Sequence, residues 1–433
     1  MAALAATCVV SIFAAQLCLV LALLVFAVRL ARGDAVLRRT PLDGPILAFC
    51  VWTLLSASFS PAPIASHEEA KKLLLFALFY LALDTFAREE CRERVLDAAL
   101  LGGLALSAGA LAQFFFLGFD TLEHRPRSFL GHYMTASGLV MAILILAAGR
   151  VAFHGLPSRR PAWKEIRVVA GVLAGVALLT ALQAAGLFAV EAERLFVAAL
   201  AGGCATLALL RGPWPGRTAG TFLATLVLPL AAGALLISRT RNAWLGSLVG
   251  LVVLAVMRVP RALWALAAAI GLILVLRPAP VTDRLTVTDA SSRDRYYMWQ
   301  AGIDMIRDKP VFGQGPGRII AVYPEYRWPE APNAMAPHLH DNALQIAAER
   351  GLPCLAWWVW WVAAAMGDAY RERRRGGLRA WVAAVAFAFL AAFMAAGLFE
   401  YNFGDSEIFM FALLLSALPY ALRRQRDLAQ AAA

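Results

Sequence analysis

Of the 433 residues, 61% are hydrophobic and 16% are charged, and the formal net charge is +11. That balance is too apolar for a soluble domain, and the apolar runs are continuous rather than alternating, which excludes a membrane β-barrel. The positive charge has a source in the Lys and Arg excess of cytoplasmic loops, and no basic stripe with interleaved aromatics stands on a soluble domain, so nucleic acid is excluded as a partner.

A spanning helix needs about 20 mostly apolar residues. Such runs fall at 5–28, 44–60, 70–87, 93–116, 131–150, 167–187, 194–210, 218–237, 242–257, 262–277, 344–366, 380–399 and 406–422. They predict an all-α, polytopic transmembrane helical bundle of about 12 spans, with the first run either a retained span or a short hairpin. Cys8, Cys18, Cys50, Cys91, Cys204 and Cys354 lie in apolar runs or beside basic links without metal-type spacing, so neither a disulfide framework nor a Cys-ligated metal is expected.

Basic clusters at 29–39, 88–94, 150–167, 211–217, 258–261, 371–379 and 423–426 are separated by two spans each, which places them together on the cytoplasmic side. The opposite face receives loops at 60–72, 118–132, 186–194, 238–241 and 400–407, and one long polar interval at 291–351. Three regions follow: N-terminal transmembrane helices at 1–277, a periplasmic loop with short helices and the catalytic segment at 278–343, and C-terminal transmembrane helices at 344–433.

The outer face should be poor in basic residues, yet Arg125, Arg127, Arg194, Arg239, Arg241, Arg293 and Arg295 all fall there. Any one of them can snorkel to headgroups. As a group converging from several loops they suggest a receptor for a polyanion such as phosphate, which guanidinium binds with two parallel hydrogen bonds.

Within the long interval, 296–306 reads as an amphipathic helix lying on the membrane surface and stopped by Pro310. Gly313, Gly315 and Gly317 read as a tight turn rather than a phosphate cradle, because no strand precedes them. His338 and His340 then stand just before an apolar helix that begins near Asn342. A helix N-terminus disfavours added positive charge and holds imidazole neutral, the form a general base requires. Asp341 can cap that helix or orient a ring. A zinc site from His338 and His340 lacks a third ligand motif, so the expected chemistry uses no metal and no cofactor, with arginines neutralising a leaving phosphate.

The residues around Arg295, then KPVFGQGPG, then HLHDNALQIAAERGLP, resemble the bacterial O-antigen ligases and the related O-antigen polymerases and protein O-oligosaccharyltransferases. SRTRNAWLG resembles the same family's R-x-x-x-L element through Arg241 and Leu245. The family's histidine signature, with nine residues before a glycine, places its essential histidine at His340 and the glycine at Gly351, although Asp341 stands where an amide or hydroxyl is usual and Cys354 where Gly, Thr or Tyr is expected. His338 therefore stays an alternative.

The resemblance implies a GT-C-like, membrane-embedded glycosyltransferase in the inner membrane of a Gram-negative bacterium, with its site facing the periplasm. It implies undecaprenyl-pyrophosphate-linked O-antigen as donor and the lipid A-core oligosaccharide as acceptor. His340 would then be the general base, and Arg241 and Arg295, helped by Arg194 or Arg125, would hold the pyrophosphate through an inverting transfer. An O-antigen polymerase, a protein O-oligosaccharyltransferase and, in another class, a lipid-carrier flippase are the alternatives.

Overall fold

An apolar run inside a bilayer must bond every backbone N–H and C=O internally, and the helix is the local way to do so. The computed structural model describes residues 1–155, 163–185, 216–282, 284, 290–377 and 380–431, and these residues are all-helical. In chain order the helices are α1 (Ala2–Cys8), α2 (Ile12–Ala31), α3 (Asp43–Ser58), α4 (Pro63–Ala70), α5 (Ala77–Phe86), α6 (Glu89–Phe116), α7 (Tyr133–His154) and α8 (Trp163–Ala184). They continue as α9 (Gly216–Ile237), α10 (Arg241–Arg258), α11 (Ala262–Leu276), α12 (Ala290–Asp308), α13 (Ile319–Tyr326), α14 (Asn342–Arg374), α15 (Ala380–Ala396) and α16 (Ser406–Ala431).

Among the described residues six segments are long and apolar enough to cross a membrane: Ile12–Ala31, Glu89–Phe116, Tyr133–His154, Gly220–Ile237, Arg241–Arg258 and Ser406–Arg426. Helices α3, α11 and α15 are apolar but shorter, as is Ile166–Leu182 within α8. The expected run at 194–210 lies outside the described residues. The run at 70–87 is a 3-10 segment, Lys71–Phe76, followed by the 10-residue α5, and two further runs differ from expectation for local reasons. The first is split, because Ser11 adopts an extended conformation and accepts a hydrogen bond from Ala14 N, capping α2 and releasing α1 to pack on α6. The run at 344–366 belongs to the longer α14, which is interrupted at Gly351 (φ 82°, ψ 167°).

Helix α15 lies at the centre, packed against α7, α10, α14 and α16, with Val382 through Ala386 fully buried. Close approach to α10 depends on small residues. A Cβ at Gly246 would lie 2.8 Å from the Ala392 carbonyl oxygen, and one at Gly250 would lie 3.3 Å from that of Ala388. This is a small-xxx-small contact, through which helices in lipid gain dispersion energy without a hydrophobic drive. It fixes the start of α10, and with it Arg241, beside the end of α15.

The two ends of the bundle differ in charge. At one end basic residues meet internal carboxylates: Arg29 reaches Asp84 at 2.6 Å, buried Arg150 reaches Glu93 at 2.9 Å and Asp97 at 2.8 Å, and Arg426 reaches Glu372 at 2.7 Å. At the other end α7, α10, α14 and α16 begin and α15 finishes. There α12 covers the first turns of α14, burying Met298, Ala301 and Met305 against Leu339, Ala348 and Tyr323. The helix expected at 296–306 falls within α12, and its buried side is Met298, Ala301 and Met305.

Replacing Gly250 by Leu should lower the unfolding temperature of the detergent-solubilised protein, at a cost of about 1–3 kcal/mol for an overpacked contact. An unchanged unfolding temperature would contradict close packing of α10 on α15.

Candidate active site

The H-L-H segment is shaped by its middle residue. Leu339 is fully buried in the cluster with Met298, and its backbone N–H donates to Gln345 Oε1 at 2.7 Å. His340 sits at φ 52°, a left-handed conformation uncommon for a side-chain-bearing residue, which persists only where its surroundings enforce it. Asp341 then caps α14, accepting from Leu344 N at 2.7 Å.

Asn342 ties this segment to the turn between α15 and α16. Its backbone N–H donates to Gly397 O at 2.8 Å, its Nδ2 donates to Asn402 Oδ1 at 2.5 Å, and its Oδ1 accepts from Phe403 N at 3.0 Å. The turn delivers Glu400. Its Oε2 lies 2.9 Å from His340 Nδ1, and its Oε1 lies 3.6 Å from His338 Nδ1. The two rings meet edge to face at 4.2 Å.

The electrostatics assign the protons. Burial alone would push the Glu400 carboxyl up, but the hydrogen bond from His340, with the electrostatic pull of His340, His338 and Arg295, outweighs it and holds the group below the usual carboxylate value. An ionised Glu400 can only accept, so His340 Nδ1–H donates to it. Burial pushes His338 down to about 4, against the pull of Glu400 and with help from His340. His132, which caps α7 by accepting from Met134 N at 3.3 Å, is also lowered by burial. Both are neutral near pH 7.

Two cavities adjoin here. One of about 340 Å³ is lined by His132, His338, Glu400, Asp405, Glu69 and Arg350 among others. The second, of about 450 Å³, is lined by five arginines, Arg125, Arg239, Arg241, Arg284 and Arg295, and by Tyr133, Tyr296, Trp299 and Phe399. Met134 and Asn242 line both. Burial, with the charges of Arg284, Arg295 and Arg239, pushes Arg125 down to about 10. The arginines are positioned individually: Arg125 lies over the Tyr133 ring at 4.2 Å, Arg241 Nη2 donates to Ser292 Oγ at 3.0 Å, and Arg284 Nε donates to Arg239 O at 3.1 Å. Arg239 also donates to Asp120 O, and Arg295 Nε is buried without a hydrogen-bond partner.

Of the residues expected from sequence, Arg125, Arg239, Arg241 and Arg295 thus share one cavity, and His338 and His340 share one carboxylate. Arg127 donates to Gly131 O at 3.2 Å and lines neither cavity, Arg293 is exposed and lines neither, and Arg194 lies outside the described residues. Glu400, His132 and Arg284 were not singled out. Arg284 carried the signal used for the others, a basic residue on the disfavoured face, and Glu400 stood in a short outer loop. The glycine-rich turn offers no phosphate cradle, because the Gln314, Gly315 and Gly317 amides already donate to Ala348 O, Glu349 O and Glu349 Oε1. The His338, His340 and Glu400 ligand atoms lie within 4.8 Å of one another, and among the described residues this group could hold a metal ion.

The depressed His338 value sets a pH dependence. A histidine whose folded value is about 4, against 6.5 ordinarily, contributes stability that is complete above 6.5 and is lost as the pH falls towards 4. Glu400, also depressed, acts in the same direction at the lower end of that window. The unfolding temperature should therefore fall between pH 6.5 and 4, with a shallower slope in His338→Asn. Equal slopes would show that the ring is not held in a desolvated site.

Residues 224–359 match the family described as O-antigen ligase, a stretch that runs from α9 through the first half of α14. It contains Arg239, Arg241, Arg284, Arg295, His338 and His340, while Arg125, His132 and Glu400 lie outside it. No curated protein matches the chain.

Proposed function

From the premise that this chain is a member of the O-antigen ligase family, we propose that it transfers O-antigen polysaccharide from undecaprenyl pyrophosphate to the lipid A-core oligosaccharide. The reaction would take place at the periplasmic face of a Gram-negative inner membrane. In this reading residues 278–343 form the periplasmic loop, and the helices of 1–277 and 344–433 form the membrane parts.

One observation carries the reading: a cavity with five arginines and four aromatic rings shares Met134 and Asn242 with a second cavity that His338 and Glu400 line, and Glu400 in turn holds His340. The pyrophosphate is the anion such a cavity suits, and its charge would oppose both the burial and the neighbouring cations that depress Arg125. The aromatic rings offer faces for sugars or for the first isoprene units. His340 Nε2 takes the proton from the acceptor hydroxyl. The oxygen attacks the anomeric carbon, the bond from that carbon to the phosphate oxygen breaks, and the pyrophosphate leaves into the arginines. Glu400 holds the ring in the correct tautomer and stabilises the imidazolium that forms, and a single displacement inverts the anomeric centre. The guanidiniums supply the charge that a divalent cation would otherwise supply, so transfer is metal-independent.

His340→Ala should reduce turnover by about a hundredfold to ten-thousandfold, and Arg241→Ala by about a hundredfold to a thousandfold, with both proteins still inserted in the membrane. Arg241→Lys restores a charge without the fork and should stay well below wild type. Wild-type rates in His340→Ala would remove the mechanism. Purified protein given donor and either lipid A-core, a second carrier-linked glycan or a polypeptide should glycosylate the first; elongation of the second would make it a polymerase.

A further inference from the structure

The fold supplies what the H-x-H pattern lacked, a third ligand. We infer that His338, His340 and Glu400 form a site for a divalent transition metal of the zinc class, and that its occupancy switches off the base. The ligand set is two imidazoles and one carboxylate, which suits zinc, copper or nickel and not magnesium.

The spacing fits. Zinc bonds of about 2.0–2.2 Å place tetrahedral ligand atoms about 3.3 Å apart. Glu400 Oε2 lies 2.9 Å from His340 Nδ1 and Oε1 lies 3.6 Å from His338 Nδ1, and one ligand atom from each of the three residues lies within 4.8 Å of the others. His338 Nδ1 is buried and has no hydrogen-bond partner, so a ligand nitrogen faces the carboxylate unspent. Glu400 is itself held, since its Oε1 accepts from Tyr401 N at 3.1 Å. The fourth position opens to the cavity that His338 and Glu400 line, which leaves room for water.

The consequence for catalysis rests on the proposed function. A metal on His340 Nδ1 takes the lone pair there and moves the ring proton to Nε2. The nitrogen that would accept the hydroxyl proton then carries one already, and Glu400 no longer binds the ring. Metal and base chemistry are therefore mutually exclusive at one imidazole.

The test uses full-length, untagged protein in detergent, with zinc titrated against a chromophoric chelator and Co²⁺ as a spectroscopic probe. One equivalent should bind, with the intense visible bands of tetrahedral cobalt, and Glu400→Gln and His338→Asn should each weaken binding about tenfold or more. His67→Asn, outside the group, should bind as wild type does. Absence of stoichiometric binding, or wild-type affinity in both variants, would overturn the site. In parallel transfer assays zinc should abolish activity and EDTA restore it, whereas stimulation by zinc would overturn the inhibitory role. Zinc binding by a protein that glycosylates no acceptor would support the site and count against the transferase reading.

Discussion

The site depends on one side-chain amide. Asn342 is the first residue of α14, and it exchanges three hydrogen bonds with the turn between α15 and α16. It is nearly fully buried, so each lost bond would leave a polar group unpaired, at a cost of about 1–3 kcal/mol. A Cβ at Gly397 would run into the Asn342 side chain, so the turn can come this close only with glycine there. Because Asn342 pins that turn, Glu400 is brought to His340 across 60 residues of sequence, and the carboxylate and imidazole need no further device to meet.

The two cavities at this end of the bundle differ in charge, the first mixing carboxylates with Lys72 and Arg350. The carboxylates Glu69, Glu349, Glu400 and Asp405 line one cavity and the five arginines line the next. A carboxylate in a buried setting resists ionisation unless a hydrogen bond or a nearby cation favours the charged form. Glu400 is held ionised by its hydrogen bond from His340 and the nearby cations. Arg239, which lines the arginine cavity, and His340 both hold left-handed backbone at φ 52°. A surrounding structure that tolerates two such residues is using them to aim side chains.

The helical class was legible in composition, because apolar runs of this length have few other solutions. Most helix ranges followed, but the number long and apolar enough to cross a membrane did not. α3, α11 and α15 fall short in length, and α14 carries Glu349 and Arg350 inside the expected run. The arginines were legible because they break a charge rule that applies loop by loop. Glu400 was not, since a single acidic residue in a short outer loop breaks no rule, and its meaning comes only from the Asn342 bonds. Arg127 and Arg293 show the limit of that charge rule, which finds the face and not the direction of a side chain.

Gly351 illustrates how a residue can matter to a site without touching it. It lies well along α14 from His340, and its positive φ opens the helix there. A Cβ would overlap the Val311 carbonyl, while Leu352 N donates to Pro310 O at 2.8 Å. The loop after α12 therefore lies directly across the break, where Gln314 N and Gly315 N bond Ala348 O and Glu349 O at 2.8 Å each. Glu349 extends the connection through Gln345, whose Nε2 donates to it at 2.8 Å and whose Oε1 accepts from Leu339 N. One glycine thus lets the end of α12 seat on α14, which sets the position of Arg295 on α12. Through Glu349 and Gln345 it also steadies the backbone between the two histidines. The spacing from histidine to glycine in this motif is in that sense a packing distance rather than a chemical one.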